Sequence, residues 1–194
     1  VHRRRRRDQM KFDAAQARIV SEISDAMSRV DAQDVEALVD AILAADRVFV
    51  VGVGRVKLAL EGIAKRLAHL GIDTVVVGQV TEPAITAADL LIVGSGSGES
   101  VFPVAIAAKA KQLGAAVAHI GANPNSTMRE HAALFVRLPV QTKLGLPGEV
   151  PSTQPMTSLF EQCLLLLGDA IALMLVERSG TPLHDLWRHH ANLE

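Results

Sequence analysis

The sequence predicts an α/β protein: a five-stranded parallel sheet with helices on both faces, a doubly wound three-layer α-β-α sandwich. Three observations predict it. Short, largely apolar runs at 48–51, 74–77, 90–93, 115–120 and 133–138 read as strands, and those at 48–51 and 90–93 are continuously apolar, the pattern of strands buried on both faces. Helical spacing separates most of them, so the crossovers are right-handed and the sheet is covered on each side. Two of the runs, the first and the third, end in glycine turns that open helices. Such turns lie beyond the carboxyl ends of the strands, where ligands of open parallel sheets sit.

The chain of 194 residues is long enough for one domain with a sizeable core, and 49% hydrophobic against 21% charged residues fits a soluble globular protein. A formal net charge of -1 supplies no basic field for nucleic acid, and 3% aromatic residues disfavour base stacking, so no nucleic-acid partner is expected. The single cysteine, Cys163, excludes an internal disulfide framework, fits a cytoplasmic location and reads as a buried structural thiol. No apolar stretch reaches membrane-spanning length without a charge or a breaker, and no secretory signal is visible, so no membrane partner is expected.

Taken in order, residues 1–9 carry an arginine run, Arg3 to Arg7, and read as a disordered basic end. Residues 10–194 read as a single domain with N-terminal helices and a C-terminal helical tail. Phe12, Ile19, Ile23, Met27 and Val30 recur helically from about Met10. Asp31 then caps a second helix holding Val35, Leu38, Val39 and Ile42. The strand at 48–51 runs into Gly52-Val53-Gly54-Arg55 and a helix to about Leu70, stopped by Gly71. After the strands at 74–77 and 90–93, a helix covers 101–113 with Gly114 as its stop. The strand at 115–120 leads through Asn123-Pro124-Asn125-Ser126 into a short helix, and 133–138 closes the sheet. The segment 139–155, rich in Pro, Gly and Thr, is too long for a simple connection and is a candidate binding loop. A strongly apolar helix at 156–177 follows, and Thr181-Pro182 opens a short terminal one.

The chemistry concentrates at Ser95-Gly96-Ser97-Gly98-Glu99-Ser100, between the third strand and its helix. Glycines bring the backbone close to a ligand, while serine hydroxyls and the N–H groups of a helix start converge on one spot, an arrangement suited to a phosphate dianion. The other glycine turn is not a nicotinamide site. Lys57 stands at the third glycine position, and Gly78-Gln79 follows the second strand where the ribose would need an acid.

Ser95 to Ser100 resembles the phosphate loop of the sugar isomerase (SIS) domain, a flavodoxin-like α/β fold, and the wider context resembles its 6-phospho-3-hexuloisomerase family. The residues carrying this are Val48-Phe49-Val50-Val51-Gly52-Val53-Gly54-Arg55, Arg66-Leu67-Ala68-His69-Leu70-Gly71, Thr81-Glu82-Pro83-Ala84-Ile85, Gln154-Pro155-Met156-Thr157-Ser158-Leu159-Phe160-Glu161 and the closing His190-Ala191-Asn192-Leu193-Glu194. One departure stands out: Val56 and Lys57 replace the family's usual Ser-Gly. The resemblance implies interconversion of a 3-hexulose 6-phosphate (D-arabino-hex-3-ulose 6-phosphate) and fructose 6-phosphate through an enediol. That is proton transfer between adjacent carbons, for which no redox cofactor is called for. It implies Glu161 as base and His69 as a second catalytic group, a histidine that in related isomerases completes the site of a neighbouring subunit. It implies Gly54, Arg55, Ser95, Gly96, Ser97, Gly98, Glu99 and Ser100 as binding residues.

The residues themselves leave alternatives. Ser158-Leu159-Phe160-Glu161 has capping-box spacing, His69 sits where a helix C-terminus attracts a cation, and Arg55 either polarises a carbonyl or pairs with Glu161. His119, His131, His184 and His189 lack ligand-like spacing, so no metal is expected. Two function classes follow: an enzyme, or a sugar-phosphate-binding regulatory module without turnover. The apolar N-terminal helices and the helix at 156–177 further predict a homo-oligomer, a dimer or tetramer, with sites near subunit contacts.

Overall fold

The computed structural model of the protein describes residues 10–193; the arginine run lies outside the described residues. Strands β1 (Val48–Val51), β2 (Thr74–Val76), β3 (Leu90–Gly94), β4 (Ala116–Gly121) and β5 (Leu134–Arg137) form one parallel sheet in the order β2-β1-β3-β4-β5. The order reverses beside β1, and the carboxyl ends of β1 and β3 are neighbours, with Val51 paired to Val93. Both glycine turns therefore open at one edge.

The pleat sorts the strand residues into two cores. Val48, Val50, Leu90 and Ile92 point to one face and join the cluster of α3 (Gly54–His69) and α5 (Ser158–Ser179). Phe49, Val51, Leu91 and Val93 point to the other, toward Ala107 and Ala110 of α4 (Val101–Gln112). Complete burial of β1 and β3 on both faces is why their sequences show no alternation. On the first face α1 (Phe12–Met27) packs on α5, and α2 (Ala32–Ala44) packs on β5 and α5. Asp31 caps α2 as predicted, its carboxylate accepting from the Gln33 N–H at 2.8 Å.

α3 and α5 form the tightest helix pair, and the reason is Gly168: a Cβ there would stand 2.2 Å from Ile63 Cγ1. By length and composition α5 is apolar enough to cross a membrane. Here Leu159, Phe160, Cys163, Leu164, Leu167 and Ile171 give it a fully buried face in the core, while Leu165, Leu166 and Leu173 stay exposed. Its start differs from expectation: the helix begins at Ser158, because Met156 adopts a left-handed φ of 54° that no helix interior accepts. β4 begins one residue late for a similar local reason, since the Ala115 N–H returns to Ala110 O and closes the end of α4. The predicted terminal helix is a 3-10 segment, Leu183–His189, lying against α3.

Candidate active site

The serine loop is held to the sheet from below. The Ser95 N–H donates to Ile120 O at 3.1 Å, and the N–H groups of Ala122 and Asn123 donate to Gly96 O at 2.9 and 3.1 Å. Within the loop, Ser95 Oγ accepts from the Gly98 N–H at 3.1 Å and lies 3.3 Å from Ser100 Oγ, while Ser97 Oγ accepts from the Glu99 N–H at 3.3 Å. Hydroxyls that accept inward keep their O–H to donate outward. Gly98 makes the fold of the loop possible: it has φ of 68°, and a Cβ there would stand 2.1 Å from Ser126 Oγ. Beneath the loop His119 is fully buried, with Nε2–H donating to Ser95 O at 2.9 Å. Burial pushes its pKa down to about 4, against the opposing effect of the Ser95 bond, so the ring is neutral at pH 7.

Ser95, Gly96, Ser97 and Ser100 line a cavity of about 520 Å³ together with Gly54, Arg55 and Val56 at the start of α3 and Thr157, Phe160 and Glu161 at the start of α5. Glu161 is buried, 9% exposed, at the first turn of its helix. One carboxylate oxygen accepts from Thr157 Oγ1 at 2.8 Å, and the other forms an ion pair with Arg55 Nε. The capping-box reading is corrected by this arrangement. Thr157 rather than Ser158 precedes the helix, Glu161 is its fourth residue, and its side chain reaches across to α3 instead of back to a backbone N–H. Of the two readings of Arg55, the structure has the pair with Glu161.

Six of the predicted binding residues, Gly54, Arg55, Ser95, Gly96, Ser97 and Ser100, thus share one cavity with Glu161. Gly98 and Glu99 do not line it. Gly98 shapes the loop from below, and Glu99 turns away to accept from Thr127 N–H at 2.8 Å and Thr127 Oγ1 at 2.7 Å. His69 is elsewhere as well. It ends α3, about 22 Å along the axis from Gly54 at 1.5 Å per residue. There it stacks on His190 at 5.2 Å between ring centroids and lines a groove of about 350 Å³ with Arg66, Asp169, Leu173 and Trp187. No position of its side chain brings it to Glu161 of its own chain.

Sequence reasoning missed Thr157, Phe160 and His119, and also Gln141, Thr142 and Lys143, which reach the cavity from the loop after β5. The last three had a signal, the unusual length of that Pro- and Gly-rich segment. Thr157 and Phe160 stood in the segment 154–161 that carries the resemblance, without a role of their own, and His119 had no signal, because only packing places it.

A serine-rich loop of the kind that cradles a phosphate faces a buried carboxylate across one cavity on a doubly wound sheet. Residues 41–167 match the SIS domain, and the chain belongs to that family. Within the family it is similar to 3-hexulose-6-phosphate isomerases. It is 38% identical over 185 residues to that of Bacillus subtilis, covering 95% of this chain and 100% of the relative. It is 39% identical over 173 residues to that of Mycobacterium gastri, covering 89% and 86%. Among solved structures, a Methanococcus jannaschii protein with an inferred molecular function of 3-hexulose-6-phosphate isomerase superposes with a TM-score of 0.81 at 27% identity, over 93% of this chain and 99% of that one.

Proposed function

We propose that this chain is an isomerase that interconverts a 3-hexulose 6-phosphate and fructose 6-phosphate. The observation that carries the reading is the buried Glu161 carboxylate in the same cavity as the serine loop, on a chain whose relatives bear that name over nearly its whole length. The loop hydroxyls and the start of α4 hold the phosphate on C6 and so fix the distance of the reacting carbons from the anchor. Glu161 removes the hydrogen of C2, leaving an enediolate across C2 and C3, and returns the proton to C3. The hydroxyl proton passes from the oxygen of C2 to that of C3. Thr157 and Arg55 each use one lone-pair direction of Glu161, which leaves the carboxylate further lone pairs for the carbon-bound proton. Arg55, 68% exposed at the side chain, is free on its outer side to stabilise the enediolate oxygens.

His69 serves as the oxygen-to-oxygen proton shuttle only from a second copy, since its own cavity is at the far end of α3. The active unit is accordingly a homo-oligomer, supported by Leu165, Leu166 and Leu173 exposed on α5 and Leu183 and Trp187 beside His69. A cytoplasmic location is supported by the buried free thiol of Cys163, which burial raises to about 11.

A coupled assay with 3-hexulose 6-phosphate tests the activity, and exchange of the substrate's carbon-bound hydrogen with heavy water tests the base. In Glu161→Gln the turnover falls about 100-fold or more while fructose 6-phosphate affinity changes little, the scale of a lost general base. Exchange undiminished in the variant removes Glu161 from the mechanism. Val56, lining the cavity where relatives of this family usually have serine, favours the second reading, a sugar-phosphate-binding module without turnover. Tight binding with neither exchange nor isomerisation in the wild type selects it.

A further inference from the structure

The cavity carries three charged side chains, and two of them cancel. Arg55 and Glu161 are paired with each other, and Lys143 is the third. Among the described residues Lys143 has no ion-pair partner, while the serine loop opposite contributes only neutral hydroxyls and helix-start N–H groups. A phosphate dianion entering this cavity finds one uncompensated cation, and that cation is outside the loop of the family's motif.

The local structure presents Lys143 deliberately. The Gly145 N–H donates to Thr142 O at 3.3 Å, so residues 142–145 form a tight turn with Lys143 at its first corner. Thr142 is fixed on both sides: its hydroxyl donates to Glu149 Oε1 at 2.6 Å and accepts from the Leu144 N–H at 3.1 Å. The base of the loop is tied by Gln141 N–H to Val150 O at 2.9 Å and Val150 N–H to Pro139 O at 2.7 Å. Arg137 holds its far side through Pro147 O at 3.2 Å. A tethered turn with a long cationic side chain at its corner, lining a cavity whose other wall is a phosphate cradle, suits a point charge aimed at an anion.

We infer that Lys143 is a substrate-binding residue that supplies the positive charge to the phosphate held by the serine loop, and so sets the preference of this site for phosphorylated over unphosphorylated sugars. The inference rests on the phosphosugar reading of the cavity and adds to it the residue that reads the charge. Lys143 takes no part in proton transfer, so its loss acts on binding and spares the chemical step.

The test uses Lys143→Gln and Lys143→Arg in the full chain, with calorimetry of fructose 6-phosphate, inorganic phosphate and unphosphorylated fructose beside the isomerase assay. Lys143→Gln should weaken fructose 6-phosphate and inorganic phosphate by a similar factor, about 10-fold or more, the scale of a lost hydrogen bond to a charged group. It should raise KM by that factor, leave kcat within about 3-fold, and flatten the dependence of affinity on salt. Lys143→Arg should recover most of the affinity. Phosphate affinity unchanged in Lys143→Gln, or a fall in kcat with KM unmoved, overturns the assignment. The two binding arms stand even if no hexulose phosphate is turned over, so a failure of the isomerase reading and a failure of Lys143 give different results.

Discussion

At the scale of the residue, the decisive groups are those whose surroundings differ most from water. Glu161 combines burial with two donors, and its Gln variant separates chemistry from binding as described above. His119 is a second case, and pH exposes it. Burial holds its folded pKa at about 4, below the usual value of 6.5, so between these the unfolded chain binds the extra proton. Its contribution to stability is therefore complete above pH 6.5 and is lost as pH falls toward 4. Thermal unfolding of the wild type should show a drop in Tm from pH 7.5 to 5 that is visibly smaller in His119→Gln. Equal drops in both would show that another group governs acid unfolding. The neutral ring also explains why no sequence signal marked this histidine: it carries no charge to the site and acts only as a donor under Ser95 O.

At the scale of the element, the entry to α5 depends on a helix far away in the chain. Glu22 of α1 accepts from Ser152 Oγ at 2.7 Å, Thr153 N–H at 3.0 Å, Thr153 Oγ1 at 2.9 Å and Gln154 Nε2 at 3.0 Å. Gln154 in turn accepts from Gln162 Nε2 at 2.8 Å, one residue beyond Glu161. Partial burial raises the Glu22 carboxyl, but the Thr153 backbone bond and the side-chain bonds from Ser152, Gln154 and Thr153 outweigh it and lower the pKa to about 2. A depressed carboxylate stabilises above its unfolded value of 4.5 and loses that contribution as pH falls toward 2. Glu22→Gln should thus lower Tm at pH 7 and reduce the loss of Tm between pH 4.5 and 2.5. It should also lower kcat several-fold, because the segment that delivers Thr157 and Glu161 loses its tether. A variant with wild-type Tm at both pH values would remove α1 from the support of the site. The segment 139–155 was recognisable as a candidate binding loop by its length, and Gln141, Thr142 and Lys143 of it line the cavity, yet its tie to α1 was not legible, since a single glutamate on an amphipathic helix reads as solvated.

At the scale of the whole molecule, the separation of His69 from Glu161 makes assembly part of the proposed mechanism. If His69 completes the site of a neighbouring copy, two inactive variants restore each other when mixed. Glu161→Gln and His69→Asn subunits, mixed in equal amounts, unfolded together and refolded, should recover up to about a quarter of wild-type activity, since random assembly gives that share of sites both intact groups. Light scattering should find a dimer or larger, and Leu173→Glu, placing a charge on the exposed apolar face of α5, should shift the population toward monomer. An active monomer at assay concentration excludes the shared site.

What the sequence determined by itself was whatever depends on neighbours along the chain. The doubly buried strands, the Asp31 cap, the stops at Gly71 and Gly114, and the glycine–serine loop are local patterns of hydrophobicity, φ freedom and hydroxyl spacing. The structure reproduced the strands within a residue or so. The tertiary structure alone decided which side chains meet. Parallel strand order set β1 beside β3 and so brought the Gly54 turn next to the serine loop, while the packing of α3 on α5 placed Arg55 against Glu161, residues separated by 106 positions in the chain. The same packing put His119 under the serine loop and sent Glu99 and His69 away from the cavity. A residue type and its spacing specify a hydrogen-bonding capacity, whereas burial and partners, which give that capacity its chemistry, come only from segments folded together from distant parts of the chain.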